Sequence, residues 1–513
     1  MTSAATHVGR LLRWGRTLAR HGALRGIERD RNTPPNVRRL LRLARVGARV
    51  PKVPRYAEAF QAIGPAAIKL GQALATRPDL VGEPAAHDLL RLQDRLPPLP
   101  FPVIRDAVER GLGRSPDDLF AHIDPEPVGA ASIAQVHRAV TSDGATVAIK
   151  VLRPGVEQNF HEALETYDWA AAHLEAMGGE FARLRPRLTI ANFRQWTLRE
   201  LDLRREAASA SELADGMTAE PGFRIPAIDW KRTSRSVLTQ EWIDGIKLSD
   251  LAALDRAGLD RPALARRLVR AFLRQAIADG FFHADMHQGN LFATAGGDLV
   301  AIDFGIMGRI DRRARSWLAE ILYGLITGNY RRVAEIHFEA GYVPAHHSVA
   351  EFATALRSVG EPMRGLPVKE MSIGTMLDSL FAITRDFDMA TQPHLLLLQK
   401  TMVMVEGVAT RLDPDINMWE VAEPVVRNWI RDELGPEALL ADAIVTNVRT
   451  LARLPELVRR IEERFPAPGG APPELPLIPV KVIGGAVGVR ISHAVIGLGA
   501  AVAGFLAALI VIK

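Results

Sequence analysis

No cysteine occurs in the 513 residues, which excludes a disulfide framework, thiolate zinc and iron–sulfur sites, and any cysteine nucleophile. A reducing compartment is compatible with that absence. Aromatic residues are scarce at 6%, and no long uncharged apolar run appears before the C-terminal end, so a multi-span membrane protein is excluded. What is present, 48% hydrophobic and 24% charged residues, describes a folded body large enough for two or three cores and neither collagen-like nor disordered. No internal repeat with the period of a solenoid or propeller is found.

The net charge of +5 is unevenly spread. Residues 1–60 carry 14 Lys and Arg against Glu28, Asp30 and Glu58, a surplus of +11 that leaves −6 for the rest. Arg10, Arg13, Arg16 and Arg20 recur every three or four positions with Leu11, Leu12, Trp14 and Leu18 between them, a basic amphipathic pattern suited to anionic membrane lipid. Nucleic acid fits that charge equally well; a solvated tail and an Arg-rich import presequence are the other readings.

The opposite end separates these partners. Residues 494–512 are 19 positions without a charge, and about 20 apolar residues span a ~30 Å hydrocarbon core. A single transmembrane helix within 487–513 is expected, with a buried C-terminal helix as the alternative. Pro466, Pro468, Pro472, Pro473, Pro476 and Pro479 ahead of it make an extended linker. Lys481 and Arg490 precede the run and only Lys513 follows, so the positive-inside bias puts the body on the cytoplasmic side of the inner (cell) membrane. A membrane at this end favours lipid for the arm, and no nucleic-acid partner is expected.

Between the ends, 56–94 reads as helical. A helix near 102–110 precedes apolar runs at 133–140 and 145–151, joined by Thr141-Ser142-Asp143-Gly144, a hairpin signal. Helical stretches at 156–177 and 188–216 follow, and 223–230 with 236–243 reads as a further strand pair. Beyond Asp244 the chain is helical except at 283–305, where strands 291–293 and 299–302 flank Gly296-Gly297. The expected organisation is a basic arm (1–60), a helical extension (61–110), a sheet-bearing N-lobe (111–243), a helical C-lobe (244–465), the linker (466–486) and the span (487–513). This is an α+β, bilobal arrangement in which ligands favour the cleft.

Three motifs fit phosphoryl transfer. Val147-Ala148-Ile149-Lys150 ends a strand in a lysine suited to nucleotide phosphates. In His283-Ala284-Asp285-Met286-His287-Gln288-Gly289-Asn290, four residues separate Asp285 from Asn290, and Asp303-Phe304-Gly305 follows. Such chemistry needs an aspartate to orient or deprotonate the attacking hydroxyl, and an asparagine with a second aspartate to hold Mg2+. Singly each has a plain alternative: a solvated lysine, a capping aspartate, an ordinary turn. Together and in this order they point to a catalytic Lys150 and Asp285 with Asn290 and Asp303 as metal ligands. His283 and His287 are spaced like a metal pair, yet beside Asp285 and Asn290 they read better as braces for that loop.

These residues, with Gly64-Pro65, Lys69-Leu70-Gly71-Gln72 (K-x-G-Q), Thr76-Arg77-Pro78-Asp79, Leu92-Gln93-Asp94, Gly129-Ala130-Ala131-Ser132-Ile133-Ala134-Gln135-Val136-His137, Arg153-Pro154-Gly155, Glu200-Leu201-Asp202, Glu206-Ala207 and Glu406-Gly407-Val408, make the chain resemble the UbiB family of atypical protein-kinase-like ATPases. The resemblance covers residues 64–424. It implies a bilobal protein-kinase-like fold, with the helical K-x-G-Q extension across the cleft where ordinary kinases admit a peptide. It implies binding of ATP or ADP with Mg2+, and support of quinone (coenzyme Q-type) biosynthesis at a membrane. Partners so implied are quinone or phenolic lipid intermediates and the enzymes that process them. The nucleotide is then expected at Gly129, Ala130, Ala131, Ser132, Val136, Ala148, Lys150, Glu206 and a hinge at Glu241-Trp242-Ile243, with Lys69, Gln72, Glu200 and Asp202 gating the cleft.

The methyl groups of Ala130 and Ala131 restrict a phosphate-covering loop that ordinarily uses glycines. Ala284 stands where typical kinases carry an arginine that receives an activation-loop phosphate, and no Ala-Pro-Glu follows Asp303-Phe304-Gly305, so phosphorylation-switched recognition of protein substrates lacks its parts. For Lys150, Glu206 is favoured over Glu200, and ordinary helix pairs, Glu200 with Arg204 and Asp202 with Arg205, are the alternative. Three features depart from the family: Gly129 opens its alanine triplet, and Met286 and Gln288 replace two prolines, which frees the catalytic loop. A nucleotide-responsive lipid chaperone and a protein kinase are the other functional readings.

Overall fold

The computed structural model describes residues 3–24, 51, 53–75, 81, 83–92, 97–176, 186–218, 220–364, 383, 386–389 and 393–434. The linker and the span expected at 466–486 and 487–513 lie outside the described residues, as do Thr76-Arg77-Pro78-Asp79 and Gln93-Asp94. No helix among the described residues is long and apolar enough to cross a membrane. The described residues divide into two compact units, with the boundary inside helix Leu203–Met217: those up to Ala208 together with Ala227–Trp242 form the first, and those of Ser209–Pro226 and 243–434 the second.

In the first unit, strands Phe120–Ile123, Ala134–Thr141, Thr146–Leu152 and Val237–Glu241 lie side by side and antiparallel, and Gly129–Ala130 pairs onto Ala134–Thr141. The hairpin turns at Gly144, whose φ of 90° lies in the left-handed region that glycine enters without steric cost. Alternation along Thr146–Leu152 buries Val147, Ile149 and Val151 with Ile104 and Val108 of helix Phe101–Leu112, while Ala148 and Lys150 lie on the other, half-buried face. A second core surrounds helix Val156–Ala176, where Phe160, Leu164, Tyr167 and Ala170 are inaccessible to solvent. Helices Ala4–Arg20, Pro65–Ala75 and Pro186–Glu200 pack on it.

Part of the basic arm packs on this unit, and one expectation, a strand pair, is corrected. The apolar side of the basic arm is used internally. Leu11 and Leu18 are buried, Arg10 donates to the Glu162 carboxylate at 2.7 Å and to Thr166 Oγ1 at 2.8 Å, and the His7 ring meets Thr166 at 3.0 Å. Leu12, Arg13, Arg16 and Arg20 face outward. The strand pair expected from 223–230 and 236–243 is reduced to one bridge, Ile228–Gln240, closed by the Glu241 N–H to the Ala227 carbonyl at 2.8 Å and the Asp229 N–H to the Thr239 carbonyl at 2.9 Å; Val237–Glu241 pairs also with Thr146–Leu152, and Phe223–Arg224 pairs with Leu299–Ala301.

The second unit holds a four-stranded sheet in the order Phe223–Arg224, Leu299–Ala301, Leu291–Ala293, Ile246–Lys247, and a separate antiparallel pair, Phe281–His283 with Met307–Arg309. Helix Arg261–Leu273 packs on Pro393–Leu412 and Met418–Leu434. It runs into a π-helical turn, Arg274–Asp279, that ends at Gly280. There φ is +67° and a Cβ would stand 2.6 Å from the Ile310 carbonyl oxygen, so only glycine lets the chain turn into the strand that leads to His283.

Candidate functional site

Lys150 sits on the half-buried sheet face with Ala148 two positions before it and Val136 opposite it on the neighbouring strand. Gly129 pairs with Val136, so the loop at Ala131-Ser132-Ile133 turns back directly beside this patch. That loop is pinned: the Ala131 N–H donates to the Ala134 carbonyl at 2.8 Å, and Arg153 Nε donates to the Ala131 carbonyl at 2.9 Å. Ser132 is fully buried. Lys150 Nζ donates to both carboxylate oxygens of Glu206, at 2.7 and 2.9 Å. Hence Glu206 is the acid that reaches Lys150.

Glu200 instead accepts from Lys69 at 2.9 Å, with both side chains mostly buried. The cause is a break that periodicity did not show. The single helix expected over 188–216 is two helices, Pro186–Glu200 and Leu203–Met217, separated where Leu201 and Leu203 turn inward and the Leu203 N–H bonds the Arg235 carbonyl at 2.9 Å. Asp202, expected with Glu200 at Lys69 and Gln72, closes on Arg204 through bonds of 2.9 and 2.7 Å. That guanidinium holds the Asp202 carboxyl below the usual carboxylate range. The alternative pairs Glu200–Arg204 and Asp202–Arg205 are thereby replaced. Gln72 Nε2 donates to the Leu92 carbonyl at 3.3 Å. At the expected hinge, the Glu241 N–H bonds the Ala227 carbonyl at 2.8 Å and the Trp242 N–H bonds the Thr146 carbonyl at 3.2 Å, so these two donors are committed.

In the second unit the Asp285 and Asp303 loops are stitched together. The Ala284 N–H bonds the Ile306 carbonyl at 3.0 Å and the Ile302 N–H bonds the Asn290 carbonyl at 3.1 Å. His283 is buried beneath them: its Nδ1 accepts the Asp285 N–H at 3.0 Å and its ring lies 5.5 Å from that of Phe304. Burial pushes the His283 imidazole below its ordinary pKa, and the nearby Asp303 and Asp285 carboxylates offset only part of this. It is therefore a neutral brace that orients the backbone. His287 braces in the same way, its Nδ1 accepting the Gly289 N–H at 3.0 Å. Asn290 Nδ2 donates to the Asp285 carbonyl at 3.2 Å, so Oδ1 is the atom Asn290 has left to offer. Asp303 Oδ1 accepts the Gly305 N–H at 3.0 Å.

Two supporting residues escaped the sequence reading. Gln275 Oε1, in the π-helical turn, accepts the His283 N–H at 3.1 Å. Thr401 Oγ1 approaches the Ala284 carbonyl at 3.2 Å while also bonding Leu397 at 2.8 Å. Both are fully buried. The available signal was a lone polar residue on the apolar face of a helix, since Thr401 shares its face with Leu398, Met402 and Val405.

Asn290 Oδ1 and the Asp303 carboxylate, in the second unit, are hard oxygen donors that fit Mg2+, and Lys150, paired with Glu206 in the first, is a point charge that fits phosphate. They define an atypical kinase-like protein, and residues 91–337 match the ABC1 atypical kinase-like domain, with 356–417 matching the UbiB helical domain. The sequence is 42% identical over 74% of its length to the "Probable protein kinase UbiB" of Marinobacter nauticus, covering 71% of that protein. It is 37% identical over 82% of its length to the protein of the same name from Pseudomonas fluorescens (strain Pf-5), covering 79%. Among solved structures, the complex of Rv3197 with erythromycin from Mycobacterium tuberculosis has a TM-score of 0.48 at 24% identity, covering 70% of this chain and 91% of that one. The chain belongs to the UbiB family.

Proposed function

We propose that the protein is a membrane-associated, Mg2+-dependent kinase-like ATPase that supports quinone biosynthesis. One observation carries the reading: in a chain of this family, Asp285, Asn290 and Asp303 are gathered by hydrogen bonds about the buried, neutral His283. Bound magnesium would neutralise charge on the nucleotide phosphates. Asn290 and Asp303 would hold it through oxygen, and Asp285 would orient or deprotonate the acceptor hydroxyl. Lys150 would hold phosphates of ATP or ADP, with Glu206 keeping it extended. Gly129, Ala130, Ala131 and Ser132 would cover the phosphates, Val136 and Ala148 would flank the base, and the backbone of Glu241 and Ile243 would serve it. Lys69, Gln72 and Glu200 would gate access, leaving Asp202 to its arginine. The acceptors in view are quinone or phenolic lipid intermediates, presented at an anionic inner membrane that residues 487–513 and the outward arginines would engage, with the body on the cytoplasmic side and enzymes of quinone biosynthesis as neighbours.

The test is turnover of 32P-labelled ATP by the full chain with anionic liposomes and phenolic lipid, tracing label into phosphate, lipid or protein. Asp303→Asn is expected to reduce Mg-nucleotide binding and turnover to background, and undiminished hydrolysis by that variant refutes the assignment. Label confined to inorganic phosphate, with turnover stimulated by membrane and phenolic lipid, would favour the lipid-chaperone reading. Label on a protein in trans would favour a protein kinase, against which Ala284 and the missing Ala-Pro-Glu argue.

A further inference from the structure

We infer that His346, His347 and Asp388 form a binding site for one zinc ion, separate from the residues assigned to nucleotide chemistry. Their donor atoms lie within 4.8 Å of one another. His347 Nε2 stands 3.2 Å from Asp388 Oδ2, and His346 Nε2 stands 3.6 Å from the same oxygen. In a tetrahedral site with metal–ligand bonds of about 2.0–2.1 Å, neighbouring donors are roughly 3.3–3.4 Å apart. The two edges that meet at Asp388 match that spacing to within a few tenths of an ångström, and the third, between the imidazoles, is no longer than 4.8 Å.

The donor chemistry narrows the ion. Two imidazole nitrogens and one carboxylate suit zinc and its borderline neighbours, whereas magnesium and calcium take oxygen ligands. A hydrogen bond would need only one imidazole against the carboxylate; here two adjacent rings, with centroids 4.1 Å apart, direct nitrogen at one oxygen. The platform is firm. The His347 ring rests 5.3 Å from Phe387, and Phe387 packs 4.9 Å from Phe352, which belongs to the core built with Tyr330, Val333 and Val343. The His347 N–H bonds the Pro344 carbonyl at 3.1 Å. His346 and Asp388 are open to water, with side chains 66% and 68% exposed, so solvent would complete the tetrahedron. The ion would join the turn before helix Val349–Arg364 to the segment before helix Pro393–Leu412, fixing two entries to the helical region from positions 41 residues apart.

Equilibrium dialysis of the full chain against micromolar Zn2+ tests this, with Co2+ as a spectroscopic probe. The expected result is one zinc per chain beyond any retained by a His346→Ala/His347→Ala variant, and the intense visible bands of four-coordinate cobalt. His347→Ala and the near-isosteric Asp388→Asn should each weaken zinc binding by at least about tenfold. Zinc should raise the unfolding midpoint of the wild type more than that of the variants, because only a ligand bound to the native state stabilises it. If His347→Ala does not fold, the Asp388→Asn comparison decides. Unchanged stoichiometry and affinity in the variants, or no zinc bound by the wild type, would overturn the site.

Discussion

Replacing Lys150 by methionine, Glu206 by leucine, and both together separates the stability of their ion pair from its use. Lys150 Nζ lies 2.7 and 2.9 Å from the Glu206 oxygens, and the side chains are 19% and 8% exposed. At these separations an effective dielectric near 20 gives about 6 kcal/mol of gross attraction, most of it offset by desolvation. Removing one partner takes two charge-assisted hydrogen bonds from a mostly buried charge. Since Glu206 is the more deeply buried, Lys150→Met should be the costlier single change, about 3 kcal/mol against roughly 2 for Glu206→Leu. The double variant should lie within about 1 kcal/mol of the wild type, because apolar side chains of similar length fill the same space. Urea denaturation supplies the cycle, and a coupling energy of at least ~1.5 kcal/mol is expected. ATP binding, measured separately, should be lost in all three proteins if the pair serves phosphate. Additive losses of stability would show that the two side chains do not depend on each other and would refute the reasoning.

Two further predictions concern the cores. At Gly71 a Cβ would meet Leu92 Cδ1 at 2.4 Å and Phe60 Cδ1 at 2.8 Å; overpacking of about 1–3 kcal/mol should outweigh the ~1 kcal/mol helix-propensity gain of Gly71→Ala. A neutral or raised denaturation midpoint in that variant would contradict it. His137, His283 and His337 are each held below the ordinary histidine value of 6.5, chiefly by burial. Below pH ~6.5 the unfolded chain therefore binds protons that the folded chain refuses, and stability should fall on acidification by about 1.4 kcal/mol per pH unit for each histidine, until its folded pKa is reached. Urea midpoints measured from pH ~7.5 down to ~5 check this, and a flat profile would count against it.

What the sequence disclosed follows from how local each signal is. The hairpin around Asp143-Gly144, the helix Val156–Ala176 and the short strands flanking Gly296-Gly297 depend on turn chemistry and periodicity within one stretch. For Lys150 the sequence favoured Glu206 over Glu200, and Glu206 is the acid found there. What stayed out of reach was the bend at Leu201–Leu203, where the chain meets the Arg235 carbonyl and Asp202 turns to Arg204, because that long-range contact leaves the helical period almost undisturbed. The strand at 237–241 was visible, but its partner was not, because register with Thr146–Leu152 is set by the shared core and not by proximity in sequence. Gln275 and Thr401 stayed hidden for a similar reason: their importance lies in the carbonyl and amide they meet, not in their own flanks.

The seating of Ala4–Arg20 on helix Val156–Ala176 also bears on how the polypeptide tolerates trimming. A peptidase that cleaved after Arg20 would remove His7, Leu11, Trp14 and Leu18 together, uncovering the aromatic lining around Tyr167 and Trp169. The leading segment is thus a wedge in the masonry, so an arginine-rich beginning that looks dispensable would be a poor place to shorten the molecule.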